Sequence, residues 1–285
     1  MNGLTVSQAV SEATGILEAA GCESAALDAS VLLAHILGVP RGALMLAYDK
    51  LLINSNIVAF NEAVSRRAQK EPIAYIVGSK EFWSLDFFVT RDTLIPRPDS
   101  ETLIEVSLKL VKNRAKAISI LDIGTGTGCL LIALLKELPQ ASGVGVDINK
   151  GALAVAHKNA VHNAVDARTE FKASHWCDAV DGTFDLIISN PPYIAETDIT
   201  SLMQDVVSFE PHTALFAGTD GMDAYSVLAP QVAARLNPGG FCVFEAGVGQ
   251  AGDIMELLKA QGLVDGRTAK DLQGIPRAVI AHKPH

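Results

Sequence analysis

Basic residues are in short supply in this chain. It has 23 lysines and arginines against 32 aspartates and glutamates, a formal net charge of −9. This balance argues against a large non-specific nucleic-acid surface, which would need a basic patch, although a local basic groove stays open. The four cysteines, Cys22, Cys129, Cys177 and Cys242, show neither metal-ligand nor redox spacing, so we expect no metal site. We expect them to be reduced and to pack as small apolar side chains.

Long apolar runs are also absent. None reaches the length that spans a bilayer, and Met1–Thr5 lacks the basic-then-apolar layout of a signal peptide. We therefore expect a cytoplasmic protein without membrane association. With 49% hydrophobic and 19% charged residues, the 285 positions allow a substantial core in one large domain or two ordinary ones.

Apolar residues recur at helical spacing through roughly the first 70 positions, which predicts a small bundle of four or five short helices. One of these helices is expected to end at Gly38, with Pro40 just beyond it. Asn54-Ser55-Asn56 is expected to cap the helix that carries Arg66-Arg67. Nothing in this bundle indicates catalytic chemistry.

The segment after the bundle is aromatic and β-prone. Phe82–Val89 indicates a hairpin with its turn between Ser84 and Asp86. Two prolines then stiffen a loop around Arg97, which is expected either to form a salt bridge or to face a substrate. Asp99 or Ser100 is expected to cap a helix over Thr102–Lys112.

A strand, a glycine turn and a helix come next. Ile118–Ile123 runs into Gly124-Thr125-Gly126-Thr127-Gly128, and a helix over Cys129–Leu138 succeeds it. Such a unit binds nucleotide-like cofactors because glycines let the backbone turn tightly and let a ligand approach. The dinucleotide fingerprint is G-x-G-x-x-G, whereas this turn is G-x-G-x-G. The shorter spacing is usual for S-adenosylmethionine sites.

Two residues beyond this turn are candidates for the same pocket. Asp147 ends the next strand about 20 residues after the glycines, where it can accept hydrogen bonds from ribose hydroxyls. It could instead cap the helix that begins near Lys150. Trp176 comes after the third strand and could line an adenine pocket or pack as ordinary core. Asp122, one residue before the turn, is expected in the pocket wall.

The fourth predicted strand, Phe184–Ser189, is followed directly by the tetrapeptide Asn190-Pro191-Pro192-Tyr193. Each proline fixes its own φ and restricts the residue before it, so the loop is stiff. It presents one amide side chain, backbone carbonyls and one aromatic ring at the carboxyl end of a strand, where ligands bind in open α/β sheets. A proline-rich strand stop with a packed tyrosine is the alternative interpretation.

Together these segments resemble one family, the peptide-chain release factor glutamine methyltransferases (HemK/PrmC), over nearly the whole chain. The departures are Asp99-Ser100, where the family usually has Glu-Thr, and His175, where an acid commonly precedes the tryptophan. The order of the matching segments is Leu94–Glu101, the glycine turn, Ser189–Ile194, Phe209-Glu210-Pro211, Asp220–Tyr225 and Lys270-Asp271-Leu272.

The resemblance implies a fold and a domain plan. The fold is α/β: a Rossmann-like class I S-adenosylmethionine-dependent methyltransferase domain with a mostly parallel seven-stranded sheet. A small N-terminal helical bundle is joined to it by a β-hairpin. The implied divisions are a helical substrate-recognition domain over 1–80, the hairpin and linker over 81–98, and the methyltransferase domain over 99–285.

It also implies a reaction and a set of site residues. The enzyme would transfer a methyl group from S-adenosylmethionine to the side-chain amide nitrogen of the glutamine in the Gly-Gly-Gln motif of class I release factors, modulating translation termination, without requiring nucleic acid or membrane. Carried over by position, Asn190, Pro191 and Tyr193 would be catalytic. Asn190 to Tyr193 and Arg97 would bind substrate. The cofactor would contact Gly124, Thr125, Gly126, Thr127, Gly128, Asp147, Trp176 and Asn190.

Overall fold

The computed structural model describes residues 4–201 and 203–285. The chain divides into two compact units. The first comprises the chain up to Gly78 together with Met203–Phe209, and the second comprises the rest. The first division lies two residues before the expected limit at residue 80. The Met203–Phe209 segment, expected within the later domain, belongs to the helical unit instead, because Val206 is buried and Asp205 lies 3.9 Å from Arg67.

The first unit is a bundle of short helices around one apolar core that includes Leu17, Leu32 and Phe60. Gly38 ends α2 in the left-handed conformation, as predicted. The predicted cap at Asn54–Asn56 is wrong, because α3 begins at Asn54 itself and its N-cap, Ile53, makes no side-chain bond. The helices are α1 (Val6–Ala19), α2 (Ala25–Leu37), a 3-10 turn (Arg41–Ala47), α3 (Asn54–Ala68) and α4 (Ile73–Val77), with the later helix Gln204–Phe209.

No single helix in the described part of the chain is both long and apolar enough to cross a membrane. The pair Ala25–Leu37 and Arg41–Ala47 meets that criterion together, by length and composition alone, with an 85° bend between its members.

A two-stranded hairpin, β1 (Ser79–Phe82) and β2 (Leu85–Phe88), opens the second unit. Its turn is Trp83-Ser84 and not the predicted Ser84–Asp86, since Phe82 pairs with Leu85. Trp83 and Ser84 both have positive φ, at 52° and 56°. The Trp83 amide donates to Glu101 Oε1 at 2.9 Å, and this long-range bond fixes the turn one residue earlier.

The main sheet has seven strands, of which five are parallel, as predicted. The last strand lies antiparallel between its two neighbours. The strands are β3 (Ser119–Ile123), β4 (Ser142–Asp147), β5 (Thr169–Ala173), β6 (Phe184–Ser189), β7 (Leu236–Glu245), β8 (Val264–Lys270) and β9 (Pro276–His282), in the spatial order β5-β4-β3-β6-β7-β9-β8. The helices of this second unit are α5 (Glu101–Leu110), α6 (Cys129–Glu137), α7 (Lys150–His162), α9 (Asp223–Arg235) and α10 (Ala251–Ala260); Gln204–Phe209, in the first unit, is α8.

Both faces of this sheet are covered. Along β3 and β6, neighbouring residues such as Ile120 and Leu121 enter different apolar clusters, because successive side chains point to opposite faces. This explains why the parallel strands are nearly continuous apolar runs. The functional groups are thereby confined to the ends of the strands.

Candidate active site

The site lies where the strand order reverses. From β3 the chain adds β4 and β5 on one side, and then β6 and β7 on the other. β3 and β6 are parallel neighbours with Ile123 paired to Ser189, so the glycine turn and Asn190 leave the same edge side by side. This is the switch point at which open α/β sheets bind ligands.

A cavity of about 450 Å³ occupies this edge, within the usual size of small-molecule sites. Most of the predicted site residues line it: Arg97, Gly124, Thr125, Gly126, Thr127, Asp147, Trp176, Asn190 and Pro192. Gly128, Pro191 and Tyr193 are absent from its lining. Gly128 packs closely against Ile132 and Ala156, Pro191 is buried, and the Tyr193 hydroxyl is engaged by Glu245.

The glycine turn has two roles in one segment. Gly124 and Gly126 have φ of 73° and 54°, and a Cβ built at either would meet nothing within 4 Å. The positive φ requires glycine there, and the space beside the turn stays open. Gly128 differs, because its Cβ would lie 3.0 Å from Ile132 Cδ1 and 3.3 Å from Ala156 Cβ. This third glycine allows close packing beneath the turn.

Asp147 ties the glycine turn to the next strand. Its Oδ2 accepts from the Gly126 amide at 2.9 Å, and its Oδ1 accepts from the Asn149 amide at 2.9 Å. The cap of α7 is Asn149, whose side chain accepts from the Gly151 amide, so Asp147 is not the helix cap. Burial raises the pKa of the Asp147 carboxyl, and the backbone N–H bonds oppose that rise.

Asp122 lies beneath the turn and not in the cavity wall, contrary to the prediction. Its side chain is almost fully buried, and its Oδ2 accepts from Thr125 Oγ1 at 2.6 Å. Among the described residues no hydrogen bond reaches Asp122 Oδ1. Burial raises the pKa of this carboxyl to about 7, the Thr125 bond lowers it, and the nearby Asp147 charge raises it further.

Trp176 and His175 also line the cavity. Trp176 has a φ of 51°, lines the cavity and also packs against the apolar cluster on that face of the sheet. The two alternatives offered for Trp176 are therefore not exclusive: it lines the cavity and also packs against the core. His175 is exposed, 5.9 Å from Trp176 between ring centroids. An indole beside an open cavity offers a flat apolar surface to a flat ligand.

The loop after β6 presents Asn190 to the cavity and is anchored at Pro191 and Tyr193. Asn190 Nδ2 donates to Ser100 Oγ at 3.2 Å. Pro191 is buried, and the Tyr193 hydroxyl donates to Glu245 Oε1 at 3.3 Å. The Tyr193 carbonyl accepts from Gln250 Nε2 at 2.9 Å. The loop is thus held from behind by side chains far away in the sequence.

Arg97 both lines the cavity and forms a salt bridge. Its guanidinium pairs with Glu210, whose side chain is only 1% exposed. Glu210 also accepts from the Ile95 amide at 3.1 Å. The two interpretations offered for Arg97 are compatible, since one face of its guanidinium can remain toward the cavity. The Phe-Glu-Pro segment therefore fixes the proline-arginine-proline loop.

Ser100 occupies the N-cap position of α5, as predicted, but neither Asp99 nor Ser100 caps the helix with its side chain. Helix α5 has no side-chain cap bond, because both side chains are engaged elsewhere. Asp99 lies 3.3 Å from Arg277 in an ion pair, and the Ser100 hydroxyl donates to Glu245 Oε2 at 2.5 Å. Sequence reasoning assigned no definite role to Glu245. Its position after the apolar run of β7, beside β6, was the available signal.

The described residues contain no group of three His, Cys, Asp or Glu side chains arranged to hold a metal ion. Cys129 borders the cavity, and burial raises the pKa of its thiol to about 12, so it is protonated at neutral pH.

Two family models match the chain: the PrmC N-terminal domain over residues 8–78 and the methyltransferase small domain over residues 100–213. The release factor glutamine methyltransferase of Rhodospirillum rubrum is 43% identical over 94% of this chain and 82% of its own. That of Bradyrhizobium diazoefficiens is 45% identical over 94% and 91%.

The chain belongs to the release factor glutamine methyltransferase family. The family resemblance found in the sequence is therefore confirmed. A solved structure also shares the fold: the Thermus thermophilus 16S rRNA N2 G1207 methyltransferase in complex with AdoMet and guanosine. It is 20% identical with a TM-score of 0.51, over 72% of this chain and 49% of that one. This release factor glutamine methyltransferase homologue accordingly has the class I methyltransferase fold and is an S-adenosylmethionine-dependent enzyme.

Proposed function

We propose that this enzyme methylates the side-chain amide nitrogen of the glutamine in the Gly-Gly-Gln motif of class I release factors, and so modulates translation termination. The observation that carries the proposal is Asn190. Its side chain lines the same cavity as the glycine turn, with Nδ2 already engaged by Ser100. Among the described residues no hydrogen bond reaches its Oδ1, which is left to accept from a substrate N–H.

A carboxamide nitrogen is a poor nucleophile because its lone pair is delocalised into the carbonyl. Two acceptors on one rigid loop counter this by binding both N–H groups and concentrating electron density on the nitrogen. Asn190 Oδ1 and the Pro191 carbonyl would be these acceptors. Holding the nitrogen in line with the methyl donor removes much of the entropic cost of the encounter. No strong base is needed, since the methylated nitrogen is acidic enough to release its proton.

The rest of the tetrapeptide would complete the substrate site. Pro192 lines the cavity, whereas Tyr193 packs behind it with its hydroxyl on Glu245. Tyr193 would therefore limit how far the loop can retreat from the flat amide. Arg97, which reaches the cavity from its salt bridge with Glu210, would face the polypeptide that carries the glutamine.

The residues present fit S-adenosylmethionine. The open space at Gly124 and Gly126 admits a ligand against the backbone, as a group at Cβ would not. Asp147 would accept from ribose hydroxyls with its remaining lone pairs, and Trp176 would cover the adenine. When bound, the cofactor would supply the electrophilic methyl on its sulfonium. Thr125, Thr127 and Gly128 would shape the turn that holds it.

A labelled-methyl experiment tests the substrate. The enzyme is incubated with S-adenosylmethionine labelled in its methyl group, together with a class I release factor, a tRNA and rRNA pool, and DNA. We expect label on the release factor glutamine. Label on nucleic acid instead would favour an amino methyltransferase of RNA or DNA, which should bind with steep salt dependence. Cofactor binding without turnover on any of these substrates would indicate a non-catalytic module.

We further infer that the helical unit recognises the body of the release factor. It exposes apolar side chains that its own core does not use, among them Leu46 at 88% and Ile53 at 65%. Singly exposed apolar residues are ordinary, but several on one small unit favour a protein partner over water. No nucleic acid or membrane is invoked. The free cysteines and the substrate class support a cytoplasmic location.

Surface substitution tests this recognition with the full chain, because deleting residues 1–80 would leave Met203–Phe209 without the rest of its unit. The double variant L46S/I53S should raise KM for the intact release factor by roughly 10-fold. Its KM for a short Gly-Gly-Gln peptide should stay unchanged. Leu272, fully exposed outside this unit, supplies the control variant L272S. Equal effects on factor and peptide would contradict the inference.

A further inference from the structure

Three polar side chains from three separate elements form a continuous hydrogen-bonded line that runs from the cavity wall, at Asn190 and Ser100, to the buried Glu245. Glu245 ends β7, Ser100 precedes α5, and Asn190 comes directly after β6. The Ser100 hydroxyl donates to Glu245 Oε2 at 2.5 Å, and Asn190 Nδ2 donates to Ser100 Oγ at 3.2 Å. Glu245 and Ser100 are 1% and 3% exposed. Such a buried connection persists only when its members are mutually satisfied.

The number of protons that these groups carry determines the direction of the hydrogen bonds in this line. A serine hydroxyl has one proton and two lone pairs. Once the Ser100 proton is given to Glu245, Ser100 can only accept from Asn190. The Asn190 amide must then turn its NH₂ toward Ser100 and its Oδ1 away. Without the carboxylate, Ser100 could equally donate, and the amide could present either end to the cavity.

We propose that Ser100 and Glu245 are positioning residues that fix the carboxamide of Asn190 with its oxygen toward the substrate nitrogen. This inference rests on the proposed glutamine methylation and deepens it. Neither residue touches the reacting atoms. Their effect is on the fraction of enzyme molecules in which Asn190 offers an acceptor and not a donor.

The protonation of Glu245 decides the direction. A protonated Glu245 can donate to Ser100, which frees the serine proton to turn toward Asn190 and reverses the amide. Burial raises the pKa of the Glu245 carboxyl to about 7; the Ser100 bond and the Arg277 charge oppose that rise. The reversal is therefore expected within an accessible pH range. Above that range Glu245 is ionised and Asn190 offers its oxygen to the substrate.

Several ionisable groups face this carboxyl from the surrounding elements. Tyr193 donates to Glu245 Oε1, and the Tyr225 hydroxyl on α9 donates to the Glu245 carbonyl at 2.7 Å. Arg277 on β9 acts on Glu245 through its charge while paired with Asp99 and Asp271, and Cys129 on α6 lies within electrostatic range. Burial raises the pKa of both tyrosines and of the thiol, so these groups stay neutral at pH 7.

Steady-state kinetics against pH test the proposal. The substrates are the release factor and S-adenosylmethionine, between about pH 5.5 and 9. For the wild type we expect kcat to fall as pH drops through the Glu245 pKa. S100A should lose roughly 10- to 100-fold in kcat, the size usual for groups that orient a functional ligand, with little change in cofactor KM. S100T keeps the hydroxyl and should recover most of that loss.

Two further variants complete the design. E245Q cannot titrate, so its activity should be reduced and its profile should lack the acidic fall. S107A is the matched control, because Ser107 is fully buried on the adjoining helix α5 and its hydroxyl makes no hydrogen bond among the described residues. A wild-type kcat for S100A, or an unchanged acidic fall in E245Q, would overturn the proposal.

A readout without turnover separates this inference from the proposed function. The side-chain amide NMR signals of Asn190, assigned through their loss in N190D, should shift with pH in the wild type and not in E245Q. If the Asn190 signals do not change with pH in either protein, the positioning role of Ser100 and Glu245 is refuted even if methylation occurs. No methylation of release factors by the wild type would instead refute the proposed function, whatever the NMR signals do.

Discussion

Two walls of the cavity are built in different ways: the glycine wall, which is the turn that begins at Gly124, and the Asn190 wall, which is the loop that begins at Asn190. The glycine wall is held mainly by groups close together in the chain: Gly126 and Asn149 bond to Asp147, 21 and two residues away. The Asn190 wall is held by more distant side chains. Ser100 lies 90 residues from Asn190, while Glu245 and Gln250 lie 52 and 57 residues from Tyr193. The first wall is a local structure, whereas the second exists only in the folded sheet.

This difference separates binding from orientation. Backbone amides and positive-φ glycines can form a cradle wherever a strand meets a helix. Aiming one carboxamide, in contrast, needs partners whose own positions are fixed. We therefore expect damage to the glycine wall to weaken cofactor affinity and damage to the Asn190 wall to lower turnover.

The largest expected effect is that of N190A. Removing the acceptor should lower kcat by at least about 100-fold, the loss typical when one preorganised hydrogen-bonding group is deleted. Binding of S-adenosylmethionine by calorimetry should change far less. The fold should persist, because the side chain is only half-buried. Turnover like that of the wild type would refute the assignment of this wall to catalysis.

G126A should produce the opposite pattern. The added methyl group enters the open space beside the turn, and φ of 54° strains any residue with a Cβ by roughly 1–2 kcal/mol. We expect the dissociation constant of S-adenosylmethionine to rise about 10-fold or more, with kcat at saturation nearly retained. G252A, in helix α10 with nothing within 4 Å of its Cβ, is the control. A loss confined to kcat would remove the contrast between the walls.

The variant E210Q tests how much the ion pair between Glu210 and Arg97 contributes to stability near the Asn190 wall. It removes the charge that pairs with Arg97 while keeping an oxygen for the Ile95 amide. Because Arg97 is about one-third exposed, we expect a modest loss of about 1–2 kcal/mol in the free energy of unfolding, measured with urea. E105Q, at an exposed i,i+4 pair with Lys109, should cost less than about 0.5 kcal/mol. Equal losses would contradict a specific role for Glu210.

A pH-dependent effect is expected beneath the glycine wall. The Asp122 carboxyl has a folded pKa of about 7 against an ordinary 3.8, so between these values the folded protein holds a proton that the unfolded chain has released. Stability contributed by this group is present at low pH and is lost as pH rises through 7. The melting temperature should therefore fall more between pH 5 and pH 8 in the wild type than in D122N. The exposed Asp181 supplies the control D181N, and a wild-type fall in D122N would contradict the assignment.

Sequence reasoning reached the glycine wall almost completely. The strand bounds, the turn and Asp147 were readable because their physical causes act within about 30 residues. The position of Asn190 at the cavity was also predicted, since two prolines after a buried strand mark a rigid loop. The partners of Asn190 were not found. Ser100 carries the signature of a helix cap, and only the adjacency of β6, β7 and α5 diverts its hydroxyl to Glu245.

The hairpin and α3 teach the same lesson on a smaller scale. Trp83-Ser84 forms a turn with positive φ at both positions, against the preference of either residue, because Glu101 and Glu137 bind the tryptophan nitrogens. Local propensity favoured a turn one residue later. Helix α3 begins without a side-chain cap although asparagines were available, and its buried Phe60 and Val64 anchor it to the bundle.

The membership of Met203–Phe209 in the helical unit has a consequence for how the protein comes apart. The chain passes between the units three times, after Gly78, before Met203 and after Phe209. A single protease cut near Gly78 would therefore leave two fragments that can still hold together through this inserted segment. Exchange of the N-terminal bundle between relatives would have to carry a second, distant piece of chain with it. Recombination at one breakpoint would pair each bundle with a foreign segment.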